Sequence, residues 1–412
     1  RNQIYQNGFS AETASIDTSD LKEFVRVSLA FIDHSIVANK RQDGLYHAYN
    51  LIAFDGNEGI SVAYLSEMLE GQVAVLSSGY LSSTEALEVL NQMRESKLYR
   101  LDQNSYMLYP DKSLPRFFEK NNIPKKNVEG SELLSQLLID NNKQIVQKDS
   151  SGAYHFNGNF TNANSLEAAL GSLDSQYAAL VAQEKDQLMA LFEDLFDHKS
   201  FTGRSGTFFG FEGLGSIYWH MVSKLALAVQ EVLWASIDAQ APKETIAALR
   251  DHYYQVIDGI GAHKTPQVYG AFPTDPYSHT PAGRGAQQPG MTGQVKEDII
   301  CRWGEFGVSA KEGSLHFDPE IIRSEEFLAA EETFEYYDVH NQKQSLIVPA
   351  GALSFTYCQI PVIYHNNHSQ KGIELTLADA SKVFVEVHHL DKAQSEAVFN
   401  RSGQIQSIQV YF

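Results

Sequence analysis

Three stretches of this sequence combine residue types at spacings that could do chemistry. The first is Met291-Thr292-Gly293, which closes a long loop and runs straight into a helical pattern at Gln294. Thr292 stands where a helix N-cap belongs, and Gly293 lets a bound group come close to the backbone. The free N–H groups that follow form an anion site by geometry alone. The bland reading is an ordinary capped helix. The second is Tyr218-Trp219-His220, which opens another long helical run and sets an imidazole near the positive end of that helix dipole. A lone histidine there is more often structural than ligand-binding. The third is Asp43-Gly44 within NKRQDGLYHAYNL, which reads first as a turn, since both residues tolerate unusual backbone angles. Tyr46, His47, Tyr49 and Asn50 behind it are polar aromatics and amides of the kind that line sugar sites. Glu212, between glycines ahead of the 216–235 run, is either a dipole-stabilised carboxylate or an acceptor for substrate hydroxyls.

The loop before Thr292, residues 269–293, holds four prolines and five glycines. A structureless loop of that length is usually functional or disordered, and Tyr269, Phe272, Tyr277 and Met291 make it too apolar for a solvated linker.

The elements that must carry these stretches are mostly helical. Leu21, Phe24, Val25, Leu29, Ile32 and Ile36 fall on one face of a helix from Asp20 to about Ala38. Helices are also expected over 60–76, 82–93, from Ser131, over 165–173, 175–196, 216–235, 243–257 and 294–306. A short strand or hairpin is expected within 149–160. Gly307 is the natural stop of the 294–306 helix. From Ser314 the period changes: LHFDPEII, TFEYYDV, QSLIVPA, LSFTYCQIPVIYH, GIELTLA, KVFVEVHHL and IQSIQVYF are short β-type runs between turn residues. The expected architecture is mainly α with a β domain. Residues 1–312 form part of an (α/α) toroid with the site at one end, and residues 313–412 form a C-terminal β-sandwich.

Bulk properties narrow the function. A net charge of −19 over 412 residues argues against nucleic acid and anionic membranes as main partners. Cys301 and Cys358 give neither metal spacing nor a disulfide framework, so no metal and a reducing, cytoplasmic setting are expected. No stretch approaches the ~20 apolar residues of a spanning helix. The sequence starts at Arg1 without a signal pattern, and a longer protein with residues upstream is expected.

In their order these motifs resemble the C-terminal half of the cellobiose phosphorylase family and its relatives, which phosphorolyse β-linked gluco-oligosaccharides. That family has an Asp-Gly step in a site loop, a histidine in an aromatic helix start, and a glycine-rich loop ending in Thr-Gly. A helix, a glycine and a strand of the LHFDP kind follow. The resemblance implies that Asp43 is the general acid and that His220, Thr292 and Gly293 hold the attacking phosphate. The chain departs from the family in having NKRQDG where the family has a Trp-containing turn, and QVKE after Thr292-Gly293. The implied reaction is inverting phosphorolysis to an α-sugar 1-phosphate, with inorganic phosphate as co-substrate, no cofactor, and a homodimer. Tyr46, Glu212, Gln287 and Gln288 are the expected substrate contacts.

Two other readings use the same residues. An inverting hydrolase needs a carboxylate base facing the acid across about 6.5–9.5 Å, for which Glu212 and Asp275 are candidates. A carbohydrate-binding relative that has lost its chemistry needs only the aromatic loops.

Overall fold

The computed structural model describes residues 2–9, 13, 15–54, 59–111, 115–196, 217–260, 264–265, 279–280, 294–366, 369 and 371–412. The chain divides into two compact units: residues 1–75, 89–218 and 265–290 form one, and 76–88, 219–264 and 291–412 the other. The helices of 219–258 and 294–305 therefore fall in the same unit as the C-terminal strands.

In the first unit, the helix Thr18–Ala38 starts at Asp17, whose carboxylate accepts from Ser19 N at 2.7 Å. No residue of this helix is buried. Leu21, Phe24, Val25, Val27, Leu29, Phe31, Ile32 and Val37 are all exposed. The expected 60–76 helix is instead a strand and a shorter helix. Ile60–Ala63 pairs antiparallel with Leu51–Phe54, and helix begins only at Leu69. The reason is local: the ISVA run is β-branched and alternates, and it has a matching strand to pair with.

Residues 121–196 carry a core of their own, built from Leu133, Leu134, Leu137, Phe156, Leu166, Leu188 and Phe192 among others. The hairpin Val146–Lys148/Tyr154–Phe156 puts only its second strand within the expected 149–160; its first strand precedes Asp149. It packs with the helices Glu132–Ile139, Ala163–Gly171 and Ala178–Phe196. Two buried polar side chains complete this segment. The Asn121 amide exchanges hydrogen bonds with the backbone of Phe156 at 2.8 and 2.9 Å, taking the place of a missing strand neighbour. The Glu184 carboxylate sits at the N-terminus of the 132–139 helix, where it accepts from Ser131 Oγ and from Glu132 N at 2.8 Å. A carboxylate there satisfies free N–H groups and faces the positive end of the dipole.

In the second unit, a five-stranded sheet runs in the order 352–357, 360–365, 405–411, 372–377, 382–385. All neighbours are antiparallel except 360–365 with 405–411. Alternation decides which side chain faces which layer. Val362 and Tyr364 join the main core with Phe355, Ile373, Leu375, Ile408 and Val410, while Ile363 turns to the other face beside Val348 and Ala352. Among the described residues the expected sandwich is this mixed sheet with two two-stranded hairpins, one of them Val308–Lys311/Ser314–Phe317, whose Leu315 and Phe317 join the main core. The hairpin Glu332–Tyr337/Lys343–Val348 contributes to the second face, and the helix Lys392–Phe399 precedes the last strand.

The helix Gln294–Glu305 is tied to this sheet. Tyr364, fully buried, donates to Phe306 O at 2.6 Å, and the Phe306 ring stacks on Phe355 at 4.3 Å. Gly307 then turns with φ +67°. A Cβ there would lie 1.9 Å from Asp318 O, so only glycine fits the stop. A complete toroid is not traced by the described residues. The helical part of this unit is a set in which Trp219–Asp238 packs against both Lys243–Asp258 and Gln294–Glu305.

Candidate functional site

Asp43 sits in a tight reversal of the chain just after the 18–38 helix. His47 N donates to Asn39 O at 2.8 Å and Arg41 N to Leu45 O at 2.8 Å, while Lys40 bridges to Tyr46. Gly44 closes the turn with φ +81°. The Asp-Gly step is thus a turn, as its chemistry suggested.

The carboxylate is held by its neighbour. Arg41 donates to Asp43 through Nη2 at 2.8 Å and Nε at 3.0 Å, and Leu45 N adds a bond at 3.2 Å. The Arg41 guanidinium holds the Asp43 carboxyl below the ordinary carboxylate range, against the opposing effect of partial burial. A general acid needs the reverse, a carboxyl that keeps its proton at working pH. In this state Asp43 is an ionised, paired group. Glu67 lies 3.4 Å from the same Arg41 Nη2 and offers that cation a second partner.

The turn borders an open hollow of about 590 Å³ lined by Ala38, Lys40, Arg41, Gln42, Asp43, His47 and Tyr64. His47 stacks on Tyr64 with ring centres 4.4 Å apart. His47 Nδ1 is buried and has no hydrogen-bond partner. Tyr46, expected at the substrate, is not in this lining. It is 5% exposed, because Gln72 clamps its backbone to the Leu69–Ser77 helix. Tyr46 N donates to Gln72 Oε1 and Gln72 Nε2 to Tyr46 O, each at 2.9 Å. His47, the next residue, lines the hollow.

In the second unit, His220 lies in the first turn of the Trp219–Asp238 helix, as its sequence position implied. Trp219 beside it is buried, with the Lys264 ammonium 4.6 Å above its ring. Facing this turn is a residue that sequence reasoning passed over. Glu297, in the first turn of the 294–305 helix, is 4% exposed, and its Oε1 lies 4.0 Å from His220 Nε2. Lys296 Nζ is 3.5 Å from the same oxygen. Oε2 of Glu297 is buried and accepts no hydrogen bond.

The 294–305 helix turns its polar side inward. Glu297, Cys301 and Glu305, spaced by four, are buried, while Ile299 and Ile300 are exposed. Burial pushes the Cys301 thiol up to about 12, with Glu305, Asp298 and Glu297 adding to the effect. Farther along, Gln230 Nε2 donates to Tyr253 Oη at 3.0 Å and to Cys301 O at 2.7 Å, and Tyr253 Oη donates to Glu305 at 2.7 Å. The signal for Glu297 was this four-residue spacing of polar residues with Gly304 among them, which an apolar-face search overlooks.

Thr292, Gly293, Glu212, Gln287, Gln288 and Asp275 lie outside the described residues. Asp43 and Tyr46 belong to one compact unit and His220 to the other. No group of three or more metal-binding side chains occurs among the described residues. No helix among them is long and apolar enough to cross a membrane.

Residues 114–199 match a family model described as GH149 phosphorylase insertion domain 2. The span contains the segment whose own core runs from Ile123 to Phe196. The match supports a GH149-like phosphorylase family and a glycoside phosphorylase of carbohydrate metabolism. It does not reach the narrower likeness to cellobiose phosphorylase. No curated protein matches the chain.

Proposed function

We propose that this chain carries the catalytic site of an inverting phosphorylase that cleaves a β-linked gluco-oligosaccharide to an α-sugar 1-phosphate. The observation that carries the reading is the match of residues 114–199 to a phosphorylase insertion domain. A phosphate oxygen attacks the anomeric carbon, and the glycosidic C–O bond breaks with its electron pair leaving on oxygen. An acid protonates that oxygen. Phosphate replaces the base and water of a hydrolase, so one carboxyl suffices.

In this reading His220, Thr292 and the N–H of Gly293 hold phosphate ahead of the 294–305 helix, where the dipole favours an anion. Asp43 is the acid. It takes up its proton when substrate draws Arg41 away, with Glu67 as the waiting partner of that cation. Glu212, Gln287 and Gln288 contact the sugar. Tyr46 acts from the core, by fixing the backbone next to His47. The protein works without cofactor, away from nucleic acid and membrane, as a cytoplasmic homodimer.

The test is release of sugar 1-phosphate from β-1,2-, β-1,3- and β-1,4-gluco-oligosaccharides with and without inorganic phosphate. Phosphate-dependent product supports the reading, and Asp43→Asn should then lower turnover by about 10²–10⁴-fold. Free sugar released equally without phosphate sinks it. One observation favours that second outcome: Glu297 is a buried carboxylate beside His220, where a hydrolase would keep its base.

A further inference from the structure

We propose that Glu297 is the positioning residue for His220: its buried carboxylate orients the imidazole and supports its protonated form when phosphate binds. The inference rests on the reading of His220 as a phosphate ligand.

A carboxylate with 4% exposure has given up its water, and such burial is costly unless the charge is paired and hydrogen-bonded. The described surroundings of Glu297 do not complete that pairing. Lys296 approaches Oε1 only to 3.5 Å and is itself 66% exposed, so water weakens its pull. His220 Nε2 is at 4.0 Å, an ion-pair distance and not a hydrogen bond. Oε2 accepts nothing. Among the described residues the buried carboxylate is therefore incompletely satisfied.

Charge order decides what completes it. A carboxylate touching phosphate directly would be repelled by it. An imidazolium between the two gives alternating charges, carboxylate, imidazolium and phosphate. Closing the gap by about 1 Å would turn the 4.0 Å approach into a charge-assisted bond of about 2.7–2.9 Å. Outer carboxylates hold metal-ligating imidazoles in this way, and removing them typically costs about 10–100-fold in metal affinity or activity; a phosphate-binding imidazole is expected to depend on its carboxylate similarly. Among the described residues, Lys296 also approaches the pair, and one turn along the same helix lies Cys301, whose thiol burial keeps neutral. Lys264 lies over the neighbouring Trp219 ring.

The experiment uses the full-length protein with Glu297→Gln, Glu297→Asp, His220→Asn and the Gln/Asn double variant. Phosphorolysis is measured against inorganic phosphate, and melting temperature is followed for each. Glu297→Gln should raise KM for phosphate about tenfold with kcat within about twofold, and Glu297→Asp should recover part of the loss. The double variant should be no worse than His220→Asn, because the two residues act as one unit. An unchanged KM, or losses that multiply, would overturn the proposal. A second readout does not depend on turnover. The His220 imidazole, titrated by NMR without substrate, should have its midpoint lowered by about 1–3 pH units in Glu297→Gln. If turnover proves phosphate-independent but this midpoint still falls, the phosphorylase reading fails and the pairing stands. If the midpoint does not move, the pairing itself is refuted.

Discussion

Replacing Gly304 by alanine adds a single methyl group to the 294–305 helix, in a place where the structure leaves no room for it. The new Cβ would lie 2.0 Å from Gln230 Oε1, 2.5 Å from its Cδ and 2.8 Å from its Nε2. Gln230 cannot step aside freely. It is 3% exposed, and its Nε2 donates to both Tyr253 Oη and Cys301 O. Moving it breaks one or both bonds, at about 1–3 kcal/mol for each buried group left unsatisfied. Overpacking contributes about 1–3 kcal/mol more. Against this, alanine is the better helix former by about 1 kcal/mol. With one bond lost, the net expectation is destabilisation by about 1–5 kcal/mol, the two costs less the propensity gain. In a Gln230→Ala background the obstruction is gone and only the helix-propensity gain remains, so the same substitution should stabilise by up to about 1 kcal/mol. Urea unfolding of the four proteins, followed by tryptophan fluorescence, measures both values as a double-mutant cycle. A Gly304→Ala protein as stable as the parent, or a loss that persists in the Gln230→Ala background, would refute the packing argument.

Two further expectations concern stability. Glu184→Ala removes the acceptor for Ser131 Oγ and Glu132 N, and should cost about 2–4 kcal/mol, with Glu184→Gln costing less because one acceptor oxygen remains. Urea unfolding gives the cost, and faster amide exchange at residues 132 and 133 would locate it. His316 in the second unit is held below the ordinary histidine range by burial and by His389, whose ring stacks on it at 4.9 Å. A group whose folded pKa is depressed contributes stability that is complete above its unfolded value, near 6.5. That stability is lost as pH falls from there toward the folded value. Melting temperature should therefore drop as pH is lowered below about 6.5, and less steeply in His389→Asn. Equal slopes in the two proteins would remove His389 from the account.

What was legible in the sequence was whatever local chemistry alone decides. The 219–238, 243–258 and 294–305 helices and the C-terminal strands stand close to where periodicity and turn residues put them. Gly307 stops its helix because no other residue fits against Asp318. The misses share one physical cause, the choice made by a partner outside the segment itself. Residues 60–63 are a strand because 51–54 is there to pair with them. Tyr46 is buried because Gln72, 26 residues on, takes both backbone groups. Glu297 and Glu305 are inside while Ile299 and Ile300 are outside, because the neighbouring helices bring an imidazole and a phenol to meet those carboxylates. As for the candidate site, the place of His220 in the first turn of its helix was legible from its sequence position. The state of Asp43 was not, since a guanidinium two residues away in sequence pairs with it only if the turn folds back.

The order of strands in the second unit has a consequence for synthesis. The strand Ile405–Tyr411 lies in the middle of the sheet, between 360–365 and 372–377, yet it is the last of the five to leave the ribosome. Until it emerges, the earlier strands can form only two separate hairpins, each with an open edge facing where the centre will be. Isolated hairpins of this kind are marginal in water, and their open edges invite pairing with other nascent chains. The sheet therefore closes late and in one step, when a single seven-residue strand supplies hydrogen bonds to both sides. A message damaged just before Ile405 would cost the nascent chain the whole sheet, and would leave two sticky edges for the cell's chaperones to shield.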